Sequence, residues 1–380
     1  PTPTPTPTPA PVACAESKPQ FADKTKLKAA VDACVGKVAS GVGCCAAGAD
    51  CGVAGTGAGA TEMPCWDVSL VTDMEDLFKN KAQFNADISR WNTEKVTSMQ
   101  GTFEGASAFN KDIGTWDVSK VTDMAYLFNG ASAFNKDIGT WDVSKVTTMS
   151  SMFRRATAFN NGGADGIKAW KTGLVTNMAY MFEGAAAFNQ PIPTDGDKWD
   201  TAKVTSMLHM FQGATAFNQE LKTWDTKAVK NMKNMFNGAV AFNKELAGTS
   251  PAWDLSAVET MEGMFEGATK FNNDDKDTMK TWITSAVTNM ASMFKGAADF
   301  NLDLTQAGGK WDTGEVTTMQ NMFNGAAKFD KDLTSWKTKL AKVTNNVDMW
   351  TGASAMTSNK KPCTTPKTTA TNVNWPACPA

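Results

Sequence analysis

The chain has 380 residues and a formal net charge of −2 at pH 7, with 37 basic and 39 acidic side chains. This balance gives no signal for nucleic-acid or polyanion binding, and Lys and Arg do not cluster into a stripe. No run of residues is apolar enough to span a membrane. The chain begins at Pro1 without Met or a signal peptide, so we expect a processed protein or a fragment.

Residues 1–12 form a low-complexity segment, PTPTPTPTPAPV. Alternating proline favours an extended polyproline II conformation and prevents sheet pairing, so we interpret the segment as a linker or stalk. Thr2, Thr4, Thr6 and Thr8 are candidate O-glycosylation sites, because they alternate with proline on an exposed rod. Both interpretations place the protein outside the cell.

Residues 13–65 form a cysteine-rich module, which we predict to be an N-terminal cap. Its apolar residues from Phe21 to Val38 fit one face of a helix, and a Gly-rich loop follows. Zinc binding is the less favoured alternative, because there is no CxxC pair and His209, the sole histidine, is distant. Disulfides imply an oxidising compartment, and six cysteines allow 15 pairings that the sequence does not distinguish. The six are Cys14, Cys34, Cys44, Cys45, Cys51 and Cys65.

Residues 66–335 repeat, and tryptophan marks the period. The distance from one marker to the next is 25 or 29 residues. A period of this size predicts a solenoid, in which each coil buries its apolar face against its neighbours. The markers are Trp66, Trp91, Trp116, Trp141, Trp170, Trp199, Trp224, Trp253, Trp282, Trp311 and Trp336.

The extra four residues always fall between the Phe-Asn pair and the next tryptophan. A segment that accepts insertions lies at the surface, so we expect these loops to emerge on one edge, where solenoids usually bind ligands. The lengthened segments are Asn160–Ala169, Asn189–Lys198, Asn243–Ala252, Asn272–Thr281 and Asn301–Lys310.

Within the constant part, Met, Leu or Met, and Phe recur at positions i, i+3 and i+4, as in Met124, Leu127 and Phe128. This spacing predicts a short helix, which the following Gly-Ala would end. The β-branched and aromatic residues of Asp-Ile-x-x-Trp-Asp-Val predict one or two short strands. The fold class is therefore an α/β repeat with a stacked parallel sheet of about 11 coils, and Met, Phe, Trp and Val form the core.

An asparagine follows the second Phe of each repeat, and Asp330 ends this column. A side-chain amide in a tight turn can bond its own and the next coil, so we predict a structural asparagine ladder rather than a ligand-binding row. Its members are Asn85, Asn110, Asn135, Asn160, Asn189, Asn218, Asn243, Asn272 and Asn301.

The repeat WDVSxVTxMxxMFxxAxxFNxDI, clearest at Trp116–Ile138 and Trp141–Phe159, resembles the 25-residue repeat of BspA-like leucine-rich-repeat surface proteins. The resemblance covers about three quarters of the chain. It implies a right-handed leucine-rich-repeat-like solenoid at a cell surface and no catalytic residues. The 29-residue units and the cysteine-bearing ends depart from the family pattern.

Residues 336–380 combine a degenerate last repeat with a C-terminal cap, because a terminal repeat has one face in water. A disulfide between Cys363 and Cys378 is the simplest interpretation of the Thr/Pro-rich tail. With the six cysteines of the N-terminal module, all eight could then pair.

Two other patterns suggest ligands. The segment from Asn272 to Asp277 is acidic enough for calcium but lacks a known loop spacing, so a solvated loop is favoured. A threonine follows the second valine of most repeats, and such a row could bind ice. Because Lys230 and Glu259 interrupt it, helix N-capping is favoured. The row is Thr72, Thr97, Thr122, Thr147, Thr176, Thr205, Thr288, Thr317 and Thr344.

The sequence offers no catalytic triad, P-loop or cofactor motif, so we predict no enzyme activity, no cofactor and no metal. We predict an extracellular or cell-surface structural or adhesive protein. Its partners would be other proteins or glycans, with self-assembly into a filament or coat as one option. The alternative is a receptor-like module that binds glycan or ice through the edge carrying the inserted loops.

Overall fold

The computed structural model describes residues 20–45, 62–246, 253–305, 310–362 and 375. Within these ranges the one α-helix is α1, Lys24–Lys37. The Asp23 carboxylate accepts the Lys26 N–H at 3.0 Å and so caps the first turn. Leu27 and Val31 are buried on one face of α1. No described helix is both long and apolar enough to cross a membrane.

The α1 region packs against the first repeat. The Phe21 N–H donates to the Asp67 carbonyl at 2.9 Å, and the Phe21 ring lies 5.1 Å from that of Trp66. Lys24 Nζ lies 2.9 Å from the carboxylate of Asp73. These contacts cover the N-terminal end of the repeats.

The repeats stack in register along the chain. Each repeat forms an isolated parallel bridge with the next, at the residue before the first Met of the repeat; in the last repeat Asn346 stands in place of that Met. The bridged residues are Asp73, Ser98, Asp123, Thr148, Asn177, Ser206, Asn231, Thr260, Asn289, Thr318 and Asn345. One antiparallel bridge, Asp195 to Lys198, lies within a lengthened segment, and a second joins Lys198 to Lys171 of the same repeat.

The Met-to-Phe segment is a run of turns, so the short helix predicted there is wrong. In repeat 3 the N–H groups of Tyr126, Phe128 and Gly130 donate to the next repeat at 2.9, 2.8 and 2.7 Å, whereas the residues between them donate three positions back. An α-helix would bond every one of these groups internally. The strands predicted around Asp-Ile-x-x-Trp-Asp-Val are also displaced, because the bridge lies at Asp123 instead.

Two positions of this segment have positive φ in every repeat. The first, two residues after the first Met, is called here the Met+2 column, and the second, four residues later, the glycine column. The Gly-Ala predicted to end a helix is thus a left-handed position inside the turns. The Met+2 column is Asp76, Gly101, Tyr126, Ser151, Tyr180, His209, Asn234, Gly263, Ser292, Asn321 and Asp348. The glycine column is Asn80, Gly105, Gly130, Arg155, Gly184, Gly213, Gly238, Gly267, Gly296, Gly325 and Gly352.

The core runs through the whole stack. Adjacent rings of the first Phe column are 5.3 to 5.7 Å apart from Phe78 to Phe323. The indoles of Trp91 and Trp116 lie 6.3 Å apart and are nearly parallel. The Trp116 Nε1 donates to the carbonyl of Ile88, which lies just before Trp91, at 3.1 Å. The aromatic columns therefore join the repeats by both packing and hydrogen bonds.

The other helices of the described residues are short 3-10 turns, several of them in the lengthened segments. They are Met63–Cys65, Asn161–Gly163, Gly166–Ala169, Asn273–Asp275, Asp277–Thr281, Thr334–Lys339 and Ser358–Lys360.

Candidate binding surfaces

The asparagine column forms a continuous hydrogen-bonded ladder. The backbone N–H of each member donates to the side-chain oxygen of the asparagine before it, at 2.8 to 3.0 Å from Asn110 to Asp330. At the start, the Asn85 N–H donates to the Ser40 carbonyl at 3.0 Å. At the end, the Asp330 carboxylate accepts Lys360 Nζ at 2.7 Å. The ladder oxygens are therefore engaged within the protein.

The threonine column is exposed, and its hydroxyls also bond along the stack. From Thr97 onward, each hydroxyl donates to the backbone carbonyl of the residue at the same position in the preceding repeat, at 3.0 to 3.3 Å. The prediction of helix N-capping is wrong, because no helix follows and the bonds run between repeats. An ice-binding row would present the same hydroxyls to a ligand, but here the eight from Thr97 to Thr344 already have an acceptor.

The aspartates that follow tryptophan make local turns. Asp117 Oδ1 accepts the Ser119 N–H at 2.9 Å, and Asp142 Oδ1 accepts that of Ser144 at 3.0 Å. Hydrogen bonds from the Ser119 hydroxyl and N–H hold the pKa of Asp117 below its usual value, and Ser144 does the same for Asp142. These carboxylates stabilise turns.

The N-terminal cysteines form disulfides rather than a metal site. A disulfide joins Cys34 to Cys44, and Cys45 and Cys65 are also disulfide-bonded. Cys44 and Cys45 lie beside Glu62 in a geometry that could hold a metal, but a disulfide sulfur is not a thiolate ligand. The remaining predicted sites lie outside the described residues: Cys14, Cys51, Cys363, Cys378, Thr2, Thr4, Thr6 and Thr8.

Two of the lengthened segments share an anchor. Asn161 and Asn273 are buried, and their side-chain oxygens accept the N–H groups of Ile138 and Leu246, each at 2.9 Å. The sequence signal for this pair is a second asparagine directly after a member of the asparagine column. The anchor fixes the loop to the preceding repeat.

The carboxylates of the acidic segment at Asn272 make hydrogen bonds within the protein. Asp275 Oδ1 accepts the Asn272 amide at 2.6 Å, and Asp277 Oδ1 accepts the Asp303 N–H at 3.0 Å. Across the described part of the chain, its carboxylates belong to no cluster with metal-binding geometry.

A shallow, open depression of about 490 Å³ lies between the first repeats, on the edge where later repeats carry insertions. Its lining is polar and of mixed charge: Asp87, Ser89, Arg90, Lys111, Asp112 and Thr115. The repeat pattern does not mark these residues as a binding site. The mixture of charges can pair with hydroxyl, carboxylate or ammonium groups of a ligand.

A second surface lies on the Met+2 column, where Tyr126, Tyr180 and His209 occur in nearby repeats. Tyr126 is 37% exposed, and the Tyr180 and His209 rings stack 4.8 Å apart. These residues interrupt the repeat pattern instead of repeating it, which is the sequence signal that could have identified them.

Comparison with known proteins identifies one family. The family model described as "Mycoplasma protein of unknown function, DUF285" matches residues 55–165, 162–278 and 274–374. No curated protein and no solved structure matches the chain.

Proposed function

The chain belongs to the DUF285 family of repeat proteins, and from this premise we propose that it is a non-enzymatic, extracellular structural or adhesive protein. It acts as a right-handed, leucine-rich-repeat-like solenoid of about 11 coils that presents a rigid face to other proteins or glycans at a cell surface. Copies of the chain are included among those proteins, as in a filament or coat.

The observation that carries this proposal is the use of the repeated polar side chains. The asparagine oxygens and the threonine hydroxyls are engaged from repeat to repeat. A catalytic site needs polar groups that converge on a substrate instead. Polar side chains that bond one repeat to the next favour a structural or display role.

The oxidised N-terminal module supports an extracellular location. Disulfides persist in oxidising environments and are rare in the cytosol. The Cys34–Cys44 bridge also joins the end of α1 to the segment that follows it.

Light scattering on the oxidised chain over a concentration series tests the structural branch, and a glycan array tests the adhesive branch. The proposal expects growth into oligomers or selective retention on the array. A monomer at every concentration that is retained by no glycan and no cell-surface protein would contradict it.

A second candidate is a receptor-like module that binds a ligand at the edge carrying the insertions. The polar depression of about 490 Å³ on that edge favours it. Deleting residues 162–165 keeps the buried Asn161 and Ile167 and gives repeat 4 the length of repeat 3. Ligand binding should then fall while the thermal midpoint stays near that of the parent chain. Unchanged binding would exclude the loop at residues 161–169 from the site.

A further inference from the structure

The rarest residue types of the chain gather at one place. The chain has two Tyr and one His, and its three Arg are Arg90, Arg154 and Arg155. Both Tyr, the His and two of the Arg fall in four consecutive repeats, between Tyr126 and His209. In a stack whose residues recur column by column, this cluster is a local departure from the pattern.

These residues occupy backbone positions that disfavour them. Tyr126, Tyr180 and His209 have φ of +58°, +61° and +56° in the Met+2 column, where other repeats place Gly, Asn, Asp or Ser. Arg155 has φ of +56° in the glycine column, where nine repeats have Gly. Large side chains are uncommon at such φ, and strained residues cluster at functional sites.

Two of the aromatic rings and one arginine stack across three repeats. Tyr180 stacks on His209 of the following repeat with an interplanar angle of 10°. Arg154 of the preceding repeat places its guanidinium carbon 5.3 Å from the centre of the Tyr180 ring. Because both ring faces are covered, Tyr180 cannot stack on the face of a neutral sugar. Its hydroxyl edge remains for hydrogen bonding.

Arg154 and Arg155 differ in whether their charge is paired. The Arg154 guanidinium pairs with the Glu183 carboxylate, so its charge is balanced. Arg155 is exposed, and its side chain passes over Gly184 of the next repeat. It makes no ion pair with any residue in the described ranges. The His209 Nδ1 is paired with the side-chain oxygen of Gln212. The surface therefore carries one unbalanced guanidinium beside the tyrosine hydroxyls.

We propose that this surface, called here the Tyr–Arg strip and defined as Tyr126, Arg154, Arg155, Tyr180 and His209, binds a linear acidic polysaccharide. Phenol hydroxyls and guanidinium groups are hydrogen-bond donors, and carboxylate and sulfate oxygens are the acceptors that match them. The strip spans three repeat steps of ~4.8 Å, roughly 14 Å, along the stack.

The strip fits a polysaccharide better than a nucleic acid. Nucleic-acid affinity comes mainly from many Lys and Arg contacts to phosphate. The chain has a net charge of −2, and the strip has one unpaired arginine. A few directed donors suit a polymer with widely spaced acidic groups. This inference rests on the proposed function as an adhesive surface protein, because it names the class of glycan that the surface would bind.

The test measures binding of the full oxidised chain by calorimetry at low salt. Heparin supplies sulfate groups, polygalacturonate supplies carboxylates alone, dextran is the neutral control, and duplex DNA is the phosphate polymer. The strip predicts binding to heparin or polygalacturonate and none to dextran. Preference between the two acidic probes identifies the acidic group.

The key variant is Arg155→Gly, because it restores the glycine that nine other repeats have at this position. It should keep or raise the thermal midpoint and weaken acidic-polysaccharide binding about tenfold or more, since hydrogen bonds to charged groups contribute strongly. Tyr180→Asn, the residue type at Asn234 and Asn321, should also weaken binding. The matched control is Lys328→Ala, which removes a cation paired with Asp299 elsewhere on the stack and should leave binding unchanged.

Three results would overturn the inference. They are no binding to either acidic polysaccharide, equal binding by the parent chain and Arg155→Gly, and tighter binding to duplex DNA than to both polysaccharides. If the chain binds none of these probes but self-associates, or binds other glycans on the array, this inference is wrong and the proposed function still holds.

Discussion

The asparagine and threonine columns are two polar rows of the same stack, and they tolerate change differently. The asparagine column runs unbroken from Asn85 to Asn301 and ends in Asp330. The threonine column is interrupted by Lys230 and Glu259. Both rows form hydrogen bonds between repeats, so the number of bonds does not explain the difference.

The direction of each bond explains it. An asparagine oxygen accepts a backbone N–H of the next repeat, as Asn218 does for Asn243 at 2.9 Å. Its removal leaves a partly buried donor unpaired. A threonine hydroxyl donates to a carbonyl that a backbone N–H already occupies, as at Thr176, which accepts both the hydroxyl and the N–H of Thr205. Its removal leaves nothing unpaired.

The interruptions agree with this account. The N–H of Lys230 still donates to the Thr205 carbonyl, and the N–H of Glu259 donates to that of Lys230, both at 2.9 Å. The backbone bond continues through these repeats without a hydroxyl. The threonine side chains therefore add a second bond to a carbonyl that is already paired. The asparagine side chains supply the acceptor for the N–H of the next repeat.

The largest effect should come from breaking the asparagine column in its middle. Asn218→Ala leaves the Asn243 N–H without its acceptor, which costs about 1–3 kcal/mol for an unsatisfied buried donor. Chemical denaturation of the oxidised chain measures the loss. A free energy of unfolding within error of the parent chain would show that the ladder is dispensable.

A conservative replacement sharpens the same point. Asn218→Asp keeps an acceptor oxygen at the same position, so near neutral pH it should lose less than half as much stability as Asn218→Ala. Equal losses for the two variants would mean that the amide nitrogen, rather than the oxygen, is what the column needs. The same denaturation experiment distinguishes the cases.

The threonine column predicts a small effect. Thr205→Ala removes one hydroxyl bond and keeps the backbone bond to Thr176, so the expected loss is about 0.5 kcal/mol or less. Thr205→Val is the matched control for shape. A loss as large as that of Asn218→Ala would contradict the distinction between the two columns.

The smallest effect concerns the exposed aspartates that bond only within their own turn. The pKa of Asp117 and that of Asp142 are lowered in the folded state, first by the serine hydroxyls. A lowered folded pKa adds stability above the unfolded pKa of ~3.9 and loses it as pH falls through the folded value. A D117N/D142N variant should therefore show slightly less acid destabilisation than the parent chain below about pH 4. If the variant lost more stability than the parent chain as the pH falls, the prediction would be contradicted.

The sequence predicts the polar columns well, because their side chains repeat at a fixed spacing. It predicts the local backbone conformation less well, because different conformations can have the same apolar spacing. Identical residues at a fixed spacing, such as Asn110 and Asn135, can only stack on one another if the repeats are in register. Apolar residues at i, i+3 and i+4 do not distinguish a helix from the observed run of turns. The useful signal was the recurrent glycine, as at Gly130, together with Asn and Asp in the Met+2 column, because these residues favour positive φ.

The candidate surfaces were harder to predict. The Tyr–Arg strip is visible only when four repeats are compared at one column, which requires the register of the stack. The depression beside Asp87 and Lys111 depends on how loops of different repeats approach each other. The pairing of Cys34 with Cys44 could not be chosen among 15 arrangements, because spacing alone does not determine which cysteines meet.

Hydrogen exchange of the backbone amides tests most directly the claim that the repeated polar columns hold the stack together. We expect the backbone amides of the asparagine column, from Asn110 to Asp330, to exchange as slowly as the core amides beside them. It also predicts that Asn218→Ala selectively accelerates the Asn243 amide, while Thr205→Ala leaves the Lys230 amide unchanged. Asparagine-column amides that exchange as fast as free peptide, or that do not respond to Asn218→Ala, would contradict the account.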